Sequence, residues 1–213
     1  MKTIVITGPS ASGKSYLASK IANNFKYSLV IKTDSYYRDN IFIKILSKLI
    51  LSIYDRIISI KKIEIIRTIE SISKKEKYIK FYSYDFKKRR SSHEIKEIEI
   101  NNDNMLIILE GIFAHRLNID YNKTINIRCN GNKEICYERR IRRDKLERGE
   151  NEKEVNNKFD KSWILYNRYI NKYMISNQVY EVNPFNRISY KKLITKLNND
   201  IIKKKPREVN YFP

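Results

Sequence analysis

The residues Gly8-Pro9-Ser10-Ala11-Ser12-Gly13-Lys14-Ser15 directly follow the apolar run Ile4-Val5-Ile6 and match the spacing G-x-x-x-x-G-K-[ST]. A strand that opens into a glycine-bounded loop and then a helix makes an anion trap. The N–H groups of the loop converge on a phosphate chain, and the positive end of the helix dipole adds to them. In such a loop Lys14 reaches the β- and γ-phosphates and the Ser15 hydroxyl holds Mg²⁺. Tyr16-Leu17-Ala18 and Ile21-Ala22 continue as a one-sided helix. The stretch Gly8–Tyr16 is therefore expected to cradle ATP or GTP.

Composition narrows the remaining classes. The chain has 213 residues, 41% hydrophobic and 12% aromatic, enough for one globular domain with a full core. Its formal charge is +20, from 44 Lys and Arg against 24 Asp and Glu. Such an excess suits nucleic acid or a membrane surface. However, isoleucine, lysine, asparagine and tyrosine all abound, and A/T-rich codons raise the four together. An anionic cofactor and substrate also favour a basic site. No RNA-binding motif or aromatic stacking platform stands out, so nucleic acid is not the expected partner. Cys129 and Cys136 lack metal-ligand spacing, and His93 and His115 are too far apart for zinc. The N-terminus runs straight into a strand without a leader. Lys44, Lys48, Asp55, Arg56, Lys61 and Lys62 interrupt the isoleucine-rich region 41–72 well short of a spanning segment. A cytoplasmic protein with no membrane contact is expected.

Along the chain, strands are expected at 2–7, 29–31, 105–109, 124–129 and 179–182. Helices are expected at 14–24, 133–148, 155–174 and 190–204. Between them, Ile41, Phe42, Ile45, Leu46, Leu49, Ile50 and Ile53 form one helical stripe, and a second helix is expected over 57–72; both stripes read as core packing. Tyr78–Phe86 and Glu94–Ile100 alternate as a hairpin about a turn at 87–92. Asn101–Asn104 is a loop, and the tail from Lys203 through Arg207 is a frayed basic end. Strands alternating with helices imply a mainly parallel sheet covered on both faces, with ligands at the carboxyl ends of the strands. Ser15, Asp34 and Glu110 all fall just past such ends.

Phosphoryl transfer needs a phosphate cradle, a metal, a base and cations around the γ-phosphoryl group. Asp34 can take the proton of a substrate hydroxyl, touch Mg²⁺, or simply cap a helix. Glu110 ends the most hydrophobic strand, where a carboxylate is costly without a metal or cation; it suits Mg²⁺ or pairs with Lys14. Arginines recur at helical spacing over 139–148, with Arg139 and Arg143 one turn apart and Arg140 and Asp144 likewise. Their planar forks suit phosphate, and Gly149 is a stop or hinge; a solvated charged helix has the same composition.

Taken together, these motifs resemble the uridine–cytidine kinases and the related phosphoribulokinases. The family's Asp-Ser-Phe-Tyr-Arg appears here as Asp34-Ser35-Tyr36-Tyr37-Arg38, its Tyr-Asp-Phe as Tyr84-Asp85-Phe86, and its Glu-Gly-Ile as Glu110-Gly111-Ile112. Its lid, Arg-Arg-x-x-Arg-Asp-x-x-Glu-Arg-Gly, matches 139–149. The motifs keep family order over roughly 1–182. The resemblance implies an α/β P-loop NTPase fold with a hairpin and an arginine-rich lid at about 133–158, and an acceptor-binding region at about 38–104. It implies transfer from Mg²⁺-ATP to the 5′-hydroxyl of a pyrimidine nucleoside. A sugar-phosphate acceptor is the alternative, and a nucleic-acid-binding nucleotide switch ranks last. Asp34 is the implied base, Ser15 and Glu110 the implied metal ligands, and Arg143 and Arg148 the cations on the transferring group. Tyr37, Tyr84 and Phe86 are implied to line the nucleoside pocket, with Arg140 near the ribose. Asp55 stands at the distance of the family's ribose-reading Asp, although Arg56-Ile57-Ile58 follow it. By analogy, a homo-oligomer is expected.

Three positions depart from the family. A base-contacting His falls at 87–90, best matched by Arg89, and a base-contacting Gln falls at Lys158. The lid's Arg-Gly-Arg becomes Arg148-Gly149-Glu150. Arg89 and Lys158 would favour a more acidic acceptor.

Overall fold

The computed structural model describes residues 1–50, 53–100, 105–117, 119, 124–176 and 179–202. The expected loop at 101–104 and the basic tail from 203 onward lie outside them. The strands of the central sheet are β1 (Lys2–Thr7), β2 (Ser28–Lys32), β5 (Leu106–Glu110), β6 (Thr124–Cys129) and β7 (Val179–Val182). They pair in the order β2-β5-β1-β6-β7, every neighbour parallel. The helices are α1 (Lys14–Ala22), α2 (Ile41–Leu49), α3 (Lys62–Ser73), α4 (Lys133–Arg143), α5 (Glu152–Ser176) and α6 (Arg187–Ile202). A separate antiparallel hairpin joins β3 (Tyr78–Asp85) to β4 (Arg90–Glu97).

The continuous apolar strands of the sequence are buried on both sides because side chains alternate across the sheet. Val5, Ile107 and Leu109 point into one core layer with Ile65, Ile69 and Ile72 of α3 and Phe113. Ile4, Ile6, Leu106 and Ile108 point into the other, against Leu17, Ala18 and Ile21 of α1 and Leu193 and Leu197 of α6. This is the α/β fold of P-loop nucleoside-triphosphate-binding proteins. Parallel pairing puts the ends of β1, β2 and β5 along one rim, where the Gly8–Ser15 loop, Asp34 and Glu110 lie.

The acceptor half differs from the sequence expectation. The residue that anchors α2 is Ile43, which lies outside the expected stripe, while Ile41, Phe42, Ile45 and Leu49 face outward; Leu49 is 77% exposed. Helical periodicity shows that one face is apolar, but not that another element covers it. The helix expected over 57–72 is instead one short turn, Ile57–Ser59, followed by α3 from Lys62, and another short turn, Ile53–Asp55, precedes it. Tyr37 and Ile60 pair there as an isolated β-bridge, which pulls the chain out of helical conformation. The hairpin turn is tighter than expected, with Asp85 paired to Arg90 and Arg89 at φ +51°.

Candidate functional site

The loop after β1 holds the geometry its sequence demands. Gly13 caps α1 at φ +91°, a conformation costly for any residue with a Cβ. Lys14 is buried, and its Nζ donates to the Pro9 carbonyl at 2.9 Å, so the ammonium lies across the mouth of the loop. Ser15 Oγ donates to Glu110 Oε1 at 2.8 Å, linking the start of α1 to the end of β5. Burial, followed by the nearby Asp34 carboxylate, raises the Glu110 pKa, while Lys14 and Ser15 oppose the shift.

Asp34 sits in the helical turn Thr33–Tyr36 that follows β2. Gly111 lets this turn approach β5 closely, since a Cβ there would collide with Thr33 Oγ1 and come 3.1 Å from Asp34 Oδ1. Lys14, Ser15, Asp34, Glu110, Arg139 and Arg143 line one cleft of about 250 Å³, together with Ala11, Gly13 and Tyr16. The Ser15 and Glu110 oxygens suit a hard cation that keeps waters and phosphate oxygens as its other ligands. Among the described residues, no group of three or more His, Cys, Asp and Glu is placed to hold a metal ion.

The arginine-rich segment folds around one carboxylate. Fully buried Asp144 meets Arg140 at 3.2 Å, Arg143 at 2.8 Å and Arg148 at 3.3 Å. Arg143 Nη2 also donates to Ser10 Oγ at 3.1 Å, tying the segment to the phosphate loop. Arg140 is buried and donates to Ser162 at 2.7 Å, and Arg148 lies 4.0 Å over the Phe86 ring.

Past Asp34 the walls become aromatic. Tyr37 is buried against Tyr54, Tyr84, Phe86 and Phe113, and its hydroxyl donates to the Tyr54 carbonyl at 2.9 Å. Burial, then Asp34 and Asp55, push the Tyr37 pKa well up. Asp55 shares a small cavity with Pro9, Ser10, Phe159, Ser162 and Tyr166. Its pKa is pushed up to about 6 by burial, against the pull of Arg140 and Arg148. Arg89 is exposed at the hairpin turn, within electrostatic reach of Tyr84. Lys158 pairs with Glu150 at 2.9 Å. The two departures in the lid segment therefore answer each other, and Lys158 loses its standing as a free cation for an acidic acceptor.

Arg139 is one of the arginines whose forks the sequence marks as suited to phosphate, whereas the sequence gives Asp144 and Phe185 no part in the site. Arg139 lines the phosphate cleft and stacks 3.7 Å over Phe185, and Phe185 lies parallel to Tyr16 at 5.4 Å. Asp144 had been noted only as a spacing partner of Arg140. Phe185 carried no local signal, because only the folded chain brings the segment after β7 against Gly13.

A model of the phosphoribulokinase / uridine kinase family matches residues 63–189. A uridine kinase of Haemophilus ducreyi is 31% identical over 153 residues, covering 68% of this chain and 68% of that protein. Among solved structures, the YGR205w protein superposes over 86% of both chains with a TM-score of 0.58 at 16% identity, a likeness of fold. No helix among the described residues is long and apolar enough to cross a membrane.

Proposed function

Because the chain belongs to the phosphoribulokinase / uridine kinase family of P-loop kinases, we propose that it moves the γ-phosphoryl group of ATP to the 5′-hydroxyl of a pyrimidine nucleoside. The observation that carries this reading is the convergence of Lys14, Ser15, Asp34, Glu110, Arg139 and Arg143 on a single cleft. The Asp34 carboxylate takes the proton of the acceptor hydroxyl as its oxygen bonds to the γ-phosphorus and the bond to the β–γ bridging oxygen breaks. Lys14 and Arg143 offset the charge that develops on the departing and transferring oxygens, the main source of acceleration in such a reaction. Ser15 and Glu110 would hold Mg²⁺, which neutralises phosphate charge when bound.

The aromatic walls at Tyr37, Tyr84 and Phe86 suit a flat base. In this reading Asp55 and Arg140 supply the polar contacts to the ribose, and Arg148 links the two ends through Asp144 and Phe86. The test is ADP release from ATP across a panel of nucleosides and sugar phosphates. Asp34→Asn should cost about 10²–10⁴-fold in turnover while ATP affinity stays within a few-fold by calorimetry. Full turnover in that variant would remove Asp34 from the role of base.

A further inference from the structure

The hairpin stands apart from the central sheet, and its second strand has an open side. Among the described residues, β4 pairs with β3 alone, and every residue from His93 to Glu97 is exposed. Such an edge presents a row of main-chain donors and acceptors on which a further strand can add. Two bonds fix which residues point outward. The Ile98 N–H donates across the hairpin to the Lys77 carbonyl at 2.9 Å, whereas the Ser91 N–H points away from β3, to Asp39 Oδ2 at 3.1 Å. Main-chain groups along a strand alternate sides, so His93, Ile95 and Glu97 direct theirs outward. Asp39 closes the edge at Ser91, which leaves 93–97 for pairing.

The side chains select the partner. Ile95 is 66% exposed at the middle of this stretch, and its neighbours Glu94 and Lys96 lie on the opposite face, 2.9 Å apart. A second copy, running antiparallel with Ile95 opposite Ile95, brings each Glu94 opposite a Lys96 and each His93 opposite a Glu97. The next register on one side sets Glu94 against Glu94, and on the other Lys96 against Lys96. Like charges directly opposite each other are destabilising, so the charge pattern of β4 complements itself in one register and opposes its neighbours.

We infer that β4 is a self-association edge, on which residues 93–97 pair antiparallel with the same residues of a second copy. The two hairpins then form one continuous sheet about a two-fold axis through Ile95, a contact that closes on itself and does not propagate. His93, Ile95 and Glu97 supply the main-chain hydrogen bonds, and Glu94 and Lys96 set the register. So short a paired edge buries less than a permanent interface does, so the dimer exchanges with monomer at micromolar concentrations.

The experiment is sedimentation velocity on the full chain from about 1 to 300 µM, a range that brackets a weak interface. The wild type should shift from monomer to dimer as its concentration rises. Glu94→Lys and Lys96→Glu each put like charges opposite one another in the pair, and each alone should weaken association about tenfold or more. Mixed in equal amounts, the two variants offer lysines against glutamates and should associate with each other at least as well as the wild type does with itself. That recovery excludes misfolding and loss of the Glu94–Lys96 contact within one chain, since neither is repaired by mixing. A wild type that stays monomeric throughout overturns the inference and leaves the edge to some other extended chain. Single variants that dimerise like the wild type, or a mixture that stays monomeric, overturn it as well.

Discussion

The two ends of the cleft are built by different means. At the nucleotide end, one short stretch of chain supplies the geometry: Gly13 at φ +91°, the Lys14 ammonium over Pro9, and Ser15 against Glu110. At the proposed acceptor end, Tyr37, Asp55, Phe86 and Arg148 come from four separate segments and are brought near one another only through the fold. A triphosphate is the same for every enzyme that uses it, so a local backbone motif suffices. An acceptor is particular, and recognising it takes side chains that the chain must bring together from a distance.

Asp144 is where the contrast is easiest to break, because it serves both ends. It holds Arg143, which reaches Ser10 of the phosphate loop, and Arg148, which covers Phe86. Asp144→Asn leaves three guanidinium groups competing for a neutral partner. Removing one member of a buried ionic cluster costs roughly 3–5 kcal/mol, which for a chain of this size lowers the melting temperature by about 10 °C. Both substrate KM values should rise together. A variant that melts like the wild type and loses only one affinity would assign the segment to one end alone.

Lys14→Ala sharpens the contrast from the nucleotide side. Deleting a pre-positioned cation that faces transferring charge costs about 10²–10³-fold in kcat. The acceptor KM should stay within about twofold, because no acceptor contact is removed. Steady-state kinetics with each substrate varied in turn decides it.

The same division explains how much was legible beforehand. The sheet, the phosphate loop and the placement of Asp34 and Glu110 followed from apolar runs ending in particular residues, since strand ends in a parallel sheet share one rim. The stripe on α2 misled, because Ile41, Phe42, Ile45 and Leu49 repeat at helical spacing whether or not another element covers them. Lys158 read as a loose cation because its partner Glu150 lies two turns earlier, across the start of α5. Phe185 gave no warning at all, since its contact with Gly13 depends on how β7 and α6 close the fold.

From the acceptor side, the sharper probe is pH. Burial pushes the Asp55 carboxyl up to about 6. Above that pH it is ionised and accepts from hydroxyl donors; below it, the group is protonated and loses acceptor capacity. The kcat/KM for the acceptor should therefore fall as pH drops through about 6, approaching tenfold per unit, while the KM for ATP stays level. The same raised value makes ionised Asp55 a burden on the fold: its contribution to stability is present below its unfolded value and lost as pH rises toward 6. Asp55→Asn should flatten the acceptor profile, and a profile identical to the wild type would take Asp55 out of acceptor binding.

The smallest expected effect lies where the nucleotide end leaves the local motif. Phe185 is half-exposed, parallel to Tyr16 and beneath the Arg139 guanidinium, beside the cleft that holds Lys14. We propose this aromatic and cationic shelf, beside the cleft that holds Lys14, as the surface that takes the nucleoside part of ATP. Stacking on an exposed ring contributes about 1 kcal/mol, so Phe185→Ala should raise the KM for ATP roughly fivefold and leave kcat and the acceptor KM within about twofold. Because the side chain is solvent-facing, the variant should also melt within a few degrees of the wild type. An acceptor KM that moves while the ATP KM does not would place Phe185 with the other end of the cleft, and the division between a local nucleotide site and a dispersed acceptor site would have to be redrawn around it.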